Sequence, residues 1–298
     1  MKNNDNMSYE NYLELMKQEV SKRTGKRVEL QMVRKNNGLM FDGLTIISEN
    51  TNISPTIYLN RYYKQFITDG IEKVAESVIA LYEKNRVEQS FDISLITEFE
   101  RVKPLIKMKL INYQENSDLL ENVPHIKVLD LAVVFMIVLK APEKCQLGTI
   151  LIHNKYLDYW DLNEDSLYKT AKENMRNDFQ TIPMNDIATA VMDDVSAEEC
   201  LGEMDFDMYV LTTHHTLHGA IGMLNKELLN AFMEKHQTDK LIILPSSIHE
   251  VVLIPYEIEE DWDLKEIVRE VNETELDEEE YLSNSVYVYD GNELKILE

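Results

Sequence analysis

The sequence is poor in cysteine, glycine and proline, and each scarcity excludes a class of protein. Its two cysteines, Cys145 and Cys200, are far apart and lack the CxxC spacing, so we expect no disulfide framework and favour a reducing compartment. There are only 9 glycines and 7 prolines, and no low-complexity tract. The chain is therefore predicted to fold along most of its length.

Long hydrophobic runs are also missing. The longest is LAVVFMIVL at 131–139, which is too short to span a bilayer and is typical of a buried strand. The first residues contain no apolar stretch of the kind found in signal peptides. We therefore expect a cytoplasmic protein that does not associate with membranes.

Positive charge is scarce, because 30 basic residues face 54 acidic ones and the net charge is −24. Segment 257–280 holds 13 acids and two bases, and segment 185–210 holds eight acids and no base. Such a field repels phosphate backbones, so direct nucleic-acid binding is not expected. The acidic segments are either solvated surfaces that aid solubility or a surface that meets a basic partner.

The first part of the chain has clear secondary-structure patterns. Residues 8–24 have helical apolar spacing, with Ser8 as N-cap and Gly25 as stop. Residues 27–47 alternate on both sides of an Asn-Asn-Gly turn, which predicts a hairpin. With a strand at 53–60 and a helix at 71–86, the predicted order is α-β-β-β-α.

The rest of the chain is predicted to alternate hairpins and helices. The expected elements are helical residues 91–122, strands 131–139 and 149–160, helix 163–179, strands 208–212 and 219–224, helix 226–236, strands 240–245 and 248–255, helix 262–272 and a hairpin at 285–297. Strands paired through short turns predict an α+β fold, with antiparallel sheets built from hairpins and helices packed on them. A polar stretch at 115–125 predicts subdomains 1–120 and 121–298, the second carrying the acidic segment 257–280.

The stretch LPSSIHEVV at 244–252 contains the first candidate site, formed by Ser246, Ser247, His249 and Glu250. Serines after a proline are typical of a turn, because their hydroxyls bond the local backbone. If the next strand begins at Ile248, His249 and Glu250 point to opposite faces and cannot act as one acid–base pair. A structural turn is therefore favoured, with a ligand site or catalysis there as alternatives.

A second candidate is the histidine loop with His214, His215 and His218. His214 and His218 have the i, i+4 spacing of a helical metal site, but the surrounding residues favour strands and the glutamate of HExxH is missing. A loop could still gather three imidazoles around a metal ion. We favour a solvated hairpin loop, and expect no metal and no cofactor.

The acidic residues give the third candidate. They form runs and not the opposed pairs that hydrolysis needs, and neither a calcium-loop pattern nor a phosphate-binding glycine motif is present. A candidate interaction surface contains Glu273, Glu275, Asp277, Glu278, Glu279 and Glu280.

Four stretches carry a resemblance to a known family: KNNGLMFDGLTI at 35–46, NISPTIYLN at 52–60, MYVLT with GAIGML within 208–224, and LIILPSSIHEVVLIP at 241–255. On these residues the chain resembles an uncharacterised domain-of-unknown-function family of anaerobic Gram-positive bacteria. That resemblance implies no activity and no functional residue. It suggests that the turn at 245–250 belongs to the shared fold.

The leading hypothesis from the sequence is a non-enzymatic interaction or regulatory protein whose acidic surfaces meet a basic protein partner. Mimicry of a nucleic acid is one version of it. The alternative hypothesis is an enzyme or small-ligand binder that uses the turn at 245–250, with Ser247 or His249 acting on the ligand.

Overall fold

A computed structural model describes residues 8–86, 90–140, 147–191, 207–255 and 263–297. The chain divides into two compact units, the first ending at Ile93 and the second beginning at Ser94. No helix within these described ranges is long and apolar enough to cross a membrane.

The first unit has the predicted helix, three strands and helix, with one additional short helix between the last strand and the last helix. Its elements are α1 (Tyr9–Thr24), β1 (Val28–Arg34), β2 (Met40–Ile46), β3 (Thr56–Tyr58), α2 (Tyr63–Asp69) and α3 (Ile71–Asn85). The predicted caps of α1 are confirmed: the Ser8 hydroxyl accepts a hydrogen bond from the amide of Asn11, and Gly25 ends the helix in the left-handed conformation at φ 66°.

The predicted hairpin is also confirmed in this unit. Strands β1 and β2 pair antiparallel from Val28↔Ile46 to Arg34↔Met40. Asn37 and Gly38 take positive φ angles of 58° and 69° between them, as the Asn-Gly signal predicts. The sheet, completed by β3, shares one hydrophobic core with α1, α2 and α3.

The second unit contains the remaining elements. Its helices are α4 (Ser94–Thr97), α5 (Phe99–Val102), α6 (Ser117–Leu120), α7 (Asn154–Trp160), α8 (Glu164–Asn174), α9 (Met184–Val191), α10 (Lys226–His236) and α11 (Leu264–Thr274). Its strands are β4 (Ile106–Asn112), β5 (His125–Val128), β6 (Leu131–Lys140), β7 (Leu147–Leu151), β8 (Phe179–Pro183), β9 (Tyr209–Thr213), β10 (Leu241–Pro245), β11 (Val251–Pro255), β12 (Tyr287–Tyr289) and β13 (Leu294–Ile296).

These strands form two antiparallel sheets, so the α+β prediction is confirmed. In the four-stranded sheet, β6 pairs with β4 along one edge and with β5 and then β7 along the other. In the six-stranded sheet the order is β13-β12-β10-β11-β9-β8. The largest core of the unit includes the inner residues of β4 and β6 and those of β9, β10 and β11.

The helical prediction for 91–122 is wrong over 106–112, where β4 lies. Two short helices and a 3₁₀ turn that includes Pro104 precede this strand. Ile106, Met108 and Leu110 are buried, and Lys107 and Lys109 between them are half-buried. That alternation has the period of a strand, and full pairing with β6 stabilises it.

Three of the predicted strands also differ from the structure. Residues 154–160 form α7, which buries Leu157 and Trp160, three residues apart on one helical face. Residues 219–224 form a 3₁₀ turn, and β11 begins at Val251 and not at Ile248. The predicted helix 163–179 stops at Asn174, because β8 starts at Phe179.

The boundary between the units lies between Ile93 and Ser94, whereas the sequence predicts a boundary near residue 120. Strand β4 belongs to the second unit because all of its pairing is with β6. Residues 192–206 of the acidic segment 185–210 lie outside the described residues. Residues 257–262 of the acidic segment 257–280 also lie outside them. The turn predicted between β6 and β7 lies outside them at 141–146.

Candidate functional site

The turn between β10 and β11 is closed by Ser247. Its amide donates a hydrogen bond to the carbonyl of Glu250 (3.1 Å), and its hydroxyl accepts one from the amide of His249 (3.0 Å). The side chain is buried, with 6% of its surface exposed. Ser247 is therefore engaged in shaping the loop, as the turn interpretation predicts.

Strand β11 begins at Val251, so His249 and Glu250 precede the strand. Both residues lie in the loop, so the alternation of a strand does not place them on opposite faces. Glu250 instead turns back toward Ser246, whose hydroxyl lies 3.5 Å from its Oε1 atom. His249 makes its contacts elsewhere.

His249 is bonded through its backbone and its ring to β9 and to the segment that follows it. Its carbonyl accepts hydrogen bonds from the amide of Gly219 (2.8 Å) and from the hydroxyl of Thr212 (2.9 Å). Its Nδ1 atom accepts one from the amide of His218 (3.1 Å). An acceptor role for Nδ1 places the ring proton on Nε2. That Nε2 atom lies 3.6 Å from Oε1 of Glu280.

Gly219 allows this close approach. A Cβ atom at this position would lie 2.5 Å from the Cα atom of Thr212 and from the amide nitrogen of Thr213, and 2.7 Å from the carbonyl oxygen of His249. Every one of these neighbours is backbone, which cannot swing away as a side chain can. The absence of a side chain therefore sets the distance between the histidine loop and the 245–250 turn.

His218 stacks on His249, and so joins two candidates that the sequence presents separately. The ring centroids are 5.1 Å apart and the ring planes are inclined by 29°. His218 has a left-handed backbone at φ 55°, which is uncommon for a residue other than glycine. Its buried Nδ1 atom has no hydrogen-bond partner among the described residues.

Both imidazoles are held neutral. Burial, with the nearby charge of Lys109 and the ring of His249, lowers the pKa of His218 to about 3. Burial also lowers the pKa of His249, aided by Lys109 and opposed by Glu280 and Glu250. Two neutral rings can stack without charge repulsion, so the pair is stable at neutral pH.

The three histidines of the loop do not converge. His214 and His215 are exposed, and Nδ1 of His214 lies 3.3 Å from the side-chain oxygen of Gln180. The hydroxyl of Thr213 holds the loop by bonding both the amide and the carbonyl of Leu217. Within the part of the chain that is described, no three histidine, cysteine or acidic residues are grouped as metal ligands.

The acidic candidate residues follow one another at the end of α11 and in the next turn. We call the set Glu273, Glu275, Asp277, Glu278, Glu279 and Glu280 the acidic surface. Its first four members are exposed, and the last two are half-buried. The carbonyl of Glu280 accepts a hydrogen bond from the amide of Ile248 (2.9 Å). Glu280 therefore connects the acidic surface to the 245–250 turn through backbone and side chain.

Helix α11 places apolar side chains beside this surface. Leu264 and Val268 pack inward against the six-stranded sheet. Ile267 and Val271 face outward and are 41% and 46% exposed. They lie one helical turn apart, so they form one apolar strip on the outer side of the helix.

A further polar cluster surrounds Asp130, and the sequence interpretation missed it. The carboxylate accepts hydrogen bonds from the hydroxyls of Ser283 (2.6 Å), Ser285 (3.0 Å) and Tyr287 (2.8 Å). Burial first, and then the Asp130 charge, raise the pKa of Tyr287 well above its ordinary value. Ser283, Ser285 and Tyr287 occupy every second position of the chain. This spacing is the one sequence signal that their side chains lie on the same side of the segment.

The chain was compared with protein families, with curated proteins and with solved structures. A family model described as "Family of unknown function (DUF5688)" matches residues 9–291. This match spans all the stretches on which the resemblance rests. No curated protein and no solved structure gives a significant match.

Proposed function

Because the chain belongs to this family of unknown function, whose description states no activity, we propose a function from the geometry: a bacterial, cytoplasmic interaction protein that binds a basic protein partner and performs no catalysis. The partner would dock on the acidic surface and on the outer side of α11. The low cysteine content and the net charge of −24 support the compartment and the sign of the partner's charge.

The apolar strip of α11 is the observation that carries this proposal. A solvated acidic helix needs no exposed apolar residues, but Ile267 and Val271 are exposed next to Glu270 and Glu273. Protein interfaces combine an apolar centre with a charged rim. The strip would provide contact area, and the surrounding carboxylates would steer a basic partner and set its orientation.

The polar contacts of the 245–250 turn also favour binding over catalysis. The Ser247 hydroxyl accepts from a backbone amide, and the Nδ1 atom of His249 does the same. A nucleophile and its base need a hydrogen bond to each other, whereas here each bonds the backbone. These contacts support a turn that positions Glu280 at the end of the acidic surface.

The experiment is a pull-down with the tagged full chain at low and high salt, followed by mass spectrometry. The variant E273Q/E275Q/D277N/E278Q removes four exposed charges and leaves Glu280 in place. The matched control E121Q/D158N/E234Q/D239N removes four exposed charges elsewhere in the second unit. A basic partner should be retained by the parent and the control, and lost by the surface variant and at high salt.

The partner identified in this way is then purified and its affinity measured directly. Replacing Ile267 and Val271 by serine should weaken binding without changing its salt dependence, since these residues contribute area and not charge. Equal loss in the surface variant and the control would contradict the proposal, because net charge alone would then explain the binding.

The turn at 245–250 supports a second candidate function, a small-ligand site. The observation that favours it is the half-buried His249, which has a lowered pKa and its Nε2 atom beside Glu280. Side-chain ¹⁵N resonances of His249 should then shift saturably with a ligand from a small-molecule library. A library that leaves these resonances unchanged would remove this candidate.

A further inference from the structure

A cavity of about 390 Å³ opens beside α8, and no residue of the acidic surface lines it. It lies between α8, β4, β8, the 3₁₀ turn at Gly219–Leu224 and the start of α10. Its floor is apolar and consists of Met108, Met175, Phe179, Ile221 and Leu224. The volume is in the range of small-molecule sites. Methionine side chains adapt to the shape of an apolar ligand, and two of them line this floor.

The rim of the cavity carries three cations in a chain that has few. Lys169 and Lys172 lie one turn apart on α8, and Arg176 follows just after the helix. All three are exposed, and none forms an ion pair with another described residue. The carboxylates of Glu173 and Glu227 also line the cavity, so the rim has a net positive charge within a protein of net charge −24.

Two neutral donors lie near these cations. The half-buried Tyr168 hydroxyl has no hydrogen-bond partner among the residues that the structure describes. Asn225 uses its side-chain oxygen to cap α10 by accepting from the amide of Leu228 (3.2 Å), which leaves its NH₂ group as a donor. The lysine, arginine, tyrosine and asparagine groups all supply donors. A ligand that satisfies them must present acceptors and negative charge.

We propose that this cavity binds a small amphipathic anion, a carboxylate with an unbranched apolar chain. The carboxylate lies among Lys169, Lys172 and Arg176, where charge-assisted hydrogen bonds are strongest. The apolar chain packs on the methionine and aromatic floor, where its burial drives binding. This site is independent of the proposed partner surface, since the two share no residue.

The test uses decanoate, below the concentration at which it forms micelles, and full-length protein labelled with ¹³C in the methionine methyl groups. The resonances of Met108 and Met175 are assigned through single Met→Leu variants. Both should shift saturably with decanoate, and decan-1-ol should bind about tenfold more weakly because it lacks the charge. Absence of a saturable shift at both methionines would overturn the proposal, as would equal affinity for the acid and the alcohol.

Charge variants separate the rim from the floor. K169Q/K172Q/R176Q should weaken decanoate binding about tenfold and leave decanol binding unchanged. The control K155Q/K235Q/K265Q removes three exposed cations elsewhere and should leave both affinities unchanged. An equal loss in both triple variants would show that only net charge matters and would overturn the proposal.

Vesicles of phosphatidylglycerol distinguish a free acid from a lipid surface. The parent protein should bind decanoate and should not sediment with the vesicles, because a cavity of this size holds one chain and not a bilayer. Sedimentation with vesicles in the absence of decanoate binding would overturn the assignment of a small ligand.

Discussion

At the scale of single residues, Gly219 determines how closely the histidine loop approaches the 245–250 turn. Gly219→Ala should destabilise the protein by about 1–3 kcal/mol, because the added methyl group overlaps three backbone atoms. Urea unfolding followed by circular dichroism measures this change. Gly148→Ala is the matched control, since its Cβ would meet only the Cβ of Leu139 at 3.9 Å. If both variants were equally stable, the close backbone approach would be incorrect.

His218 should make stability depend on pH. Its folded pKa of about 3 is below the ordinary value of 6.5, so between these values the unfolded chain binds a proton that the folded chain does not. This contribution is fully present above pH 6.5 and is lost as pH falls toward 3. It amounts to about 2 kcal/mol between pH 7 and pH 5.

The variant His218→Asn tests this contribution, because asparagine tolerates the left-handed backbone but does not titrate in this range. The free energy of unfolding should therefore fall less from pH 7 to pH 5 in the variant than in the parent. His214→Asn, at an exposed position, should behave as the parent does. Identical pH dependence in the parent and in His218→Asn would refute the lowered pKa.

At the scale of elements, Asp130 fixes the segment that leads into β12. Asp130→Ala should cost about 2–3 kcal/mol, because it removes three hydrogen bonds and leaves the buried Tyr287 hydroxyl without its acceptor. Tyr287→Phe should cost only about 1 kcal/mol, since it removes one donor while the Asp130 carboxylate keeps its hydrogen bonds from Ser283 and Ser285. Chemical denaturation measures both, with the exposed Asp239→Ala as control. A larger loss in Tyr287→Phe than in Asp130→Ala would contradict this arrangement.

The elements that the sequence predicts well are those fixed by local signals. The caps of α1, the Asn37-Gly38 turn, and the last hairpin at Asp290-Gly291 depend on residues within a few positions of one another. Strand β4 lies within a segment that the sequence predicts to be helical, although its apolar residues alternate with lysine. The apolar stretch at Gly219–Leu224 predicts a strand. The sequence does not indicate the 3₁₀ turn found there, because the backbone neighbours that select it are distant in sequence.

In the candidate site, too, the features that depend on local signals are predictable and those that depend on distant segments are not. The turn formed by Ser246 and Ser247 was predictable, since serine side chains bond their own local backbone. The stack of His218 on His249 was not, because it depends on β9 pairing with β11 in the register Val251↔Leu211. No local pattern in either segment contains that register, and the contact between Glu280 and His249 depends in the same way on distant segments.

At the scale of the whole molecule, each compact unit has hydrophobic core clusters of its own. One cluster lies within the first unit, and the three others consist of residues after Ser94. A core that is complete within one unit is the physical requirement for independent folding. The sequence places the boundary near residue 120, whereas the contacts place it between Ile93 and Ser94.

Fragments that end at these two boundaries discriminate between them. The fragment 1–93 should give a dispersed NMR spectrum and a single cooperative urea transition, because its sheet and helices share one core. The fragment 1–120 carries β4 without β6, so it exposes a strand edge and the apolar side chains of Ile106, Leu110 and Ile111, which are 0–1% exposed in the full chain. It should therefore self-associate, as analytical ultracentrifugation would detect. A monomeric, folded 1–120 together with an unfolded 1–93 would instead support the later boundary.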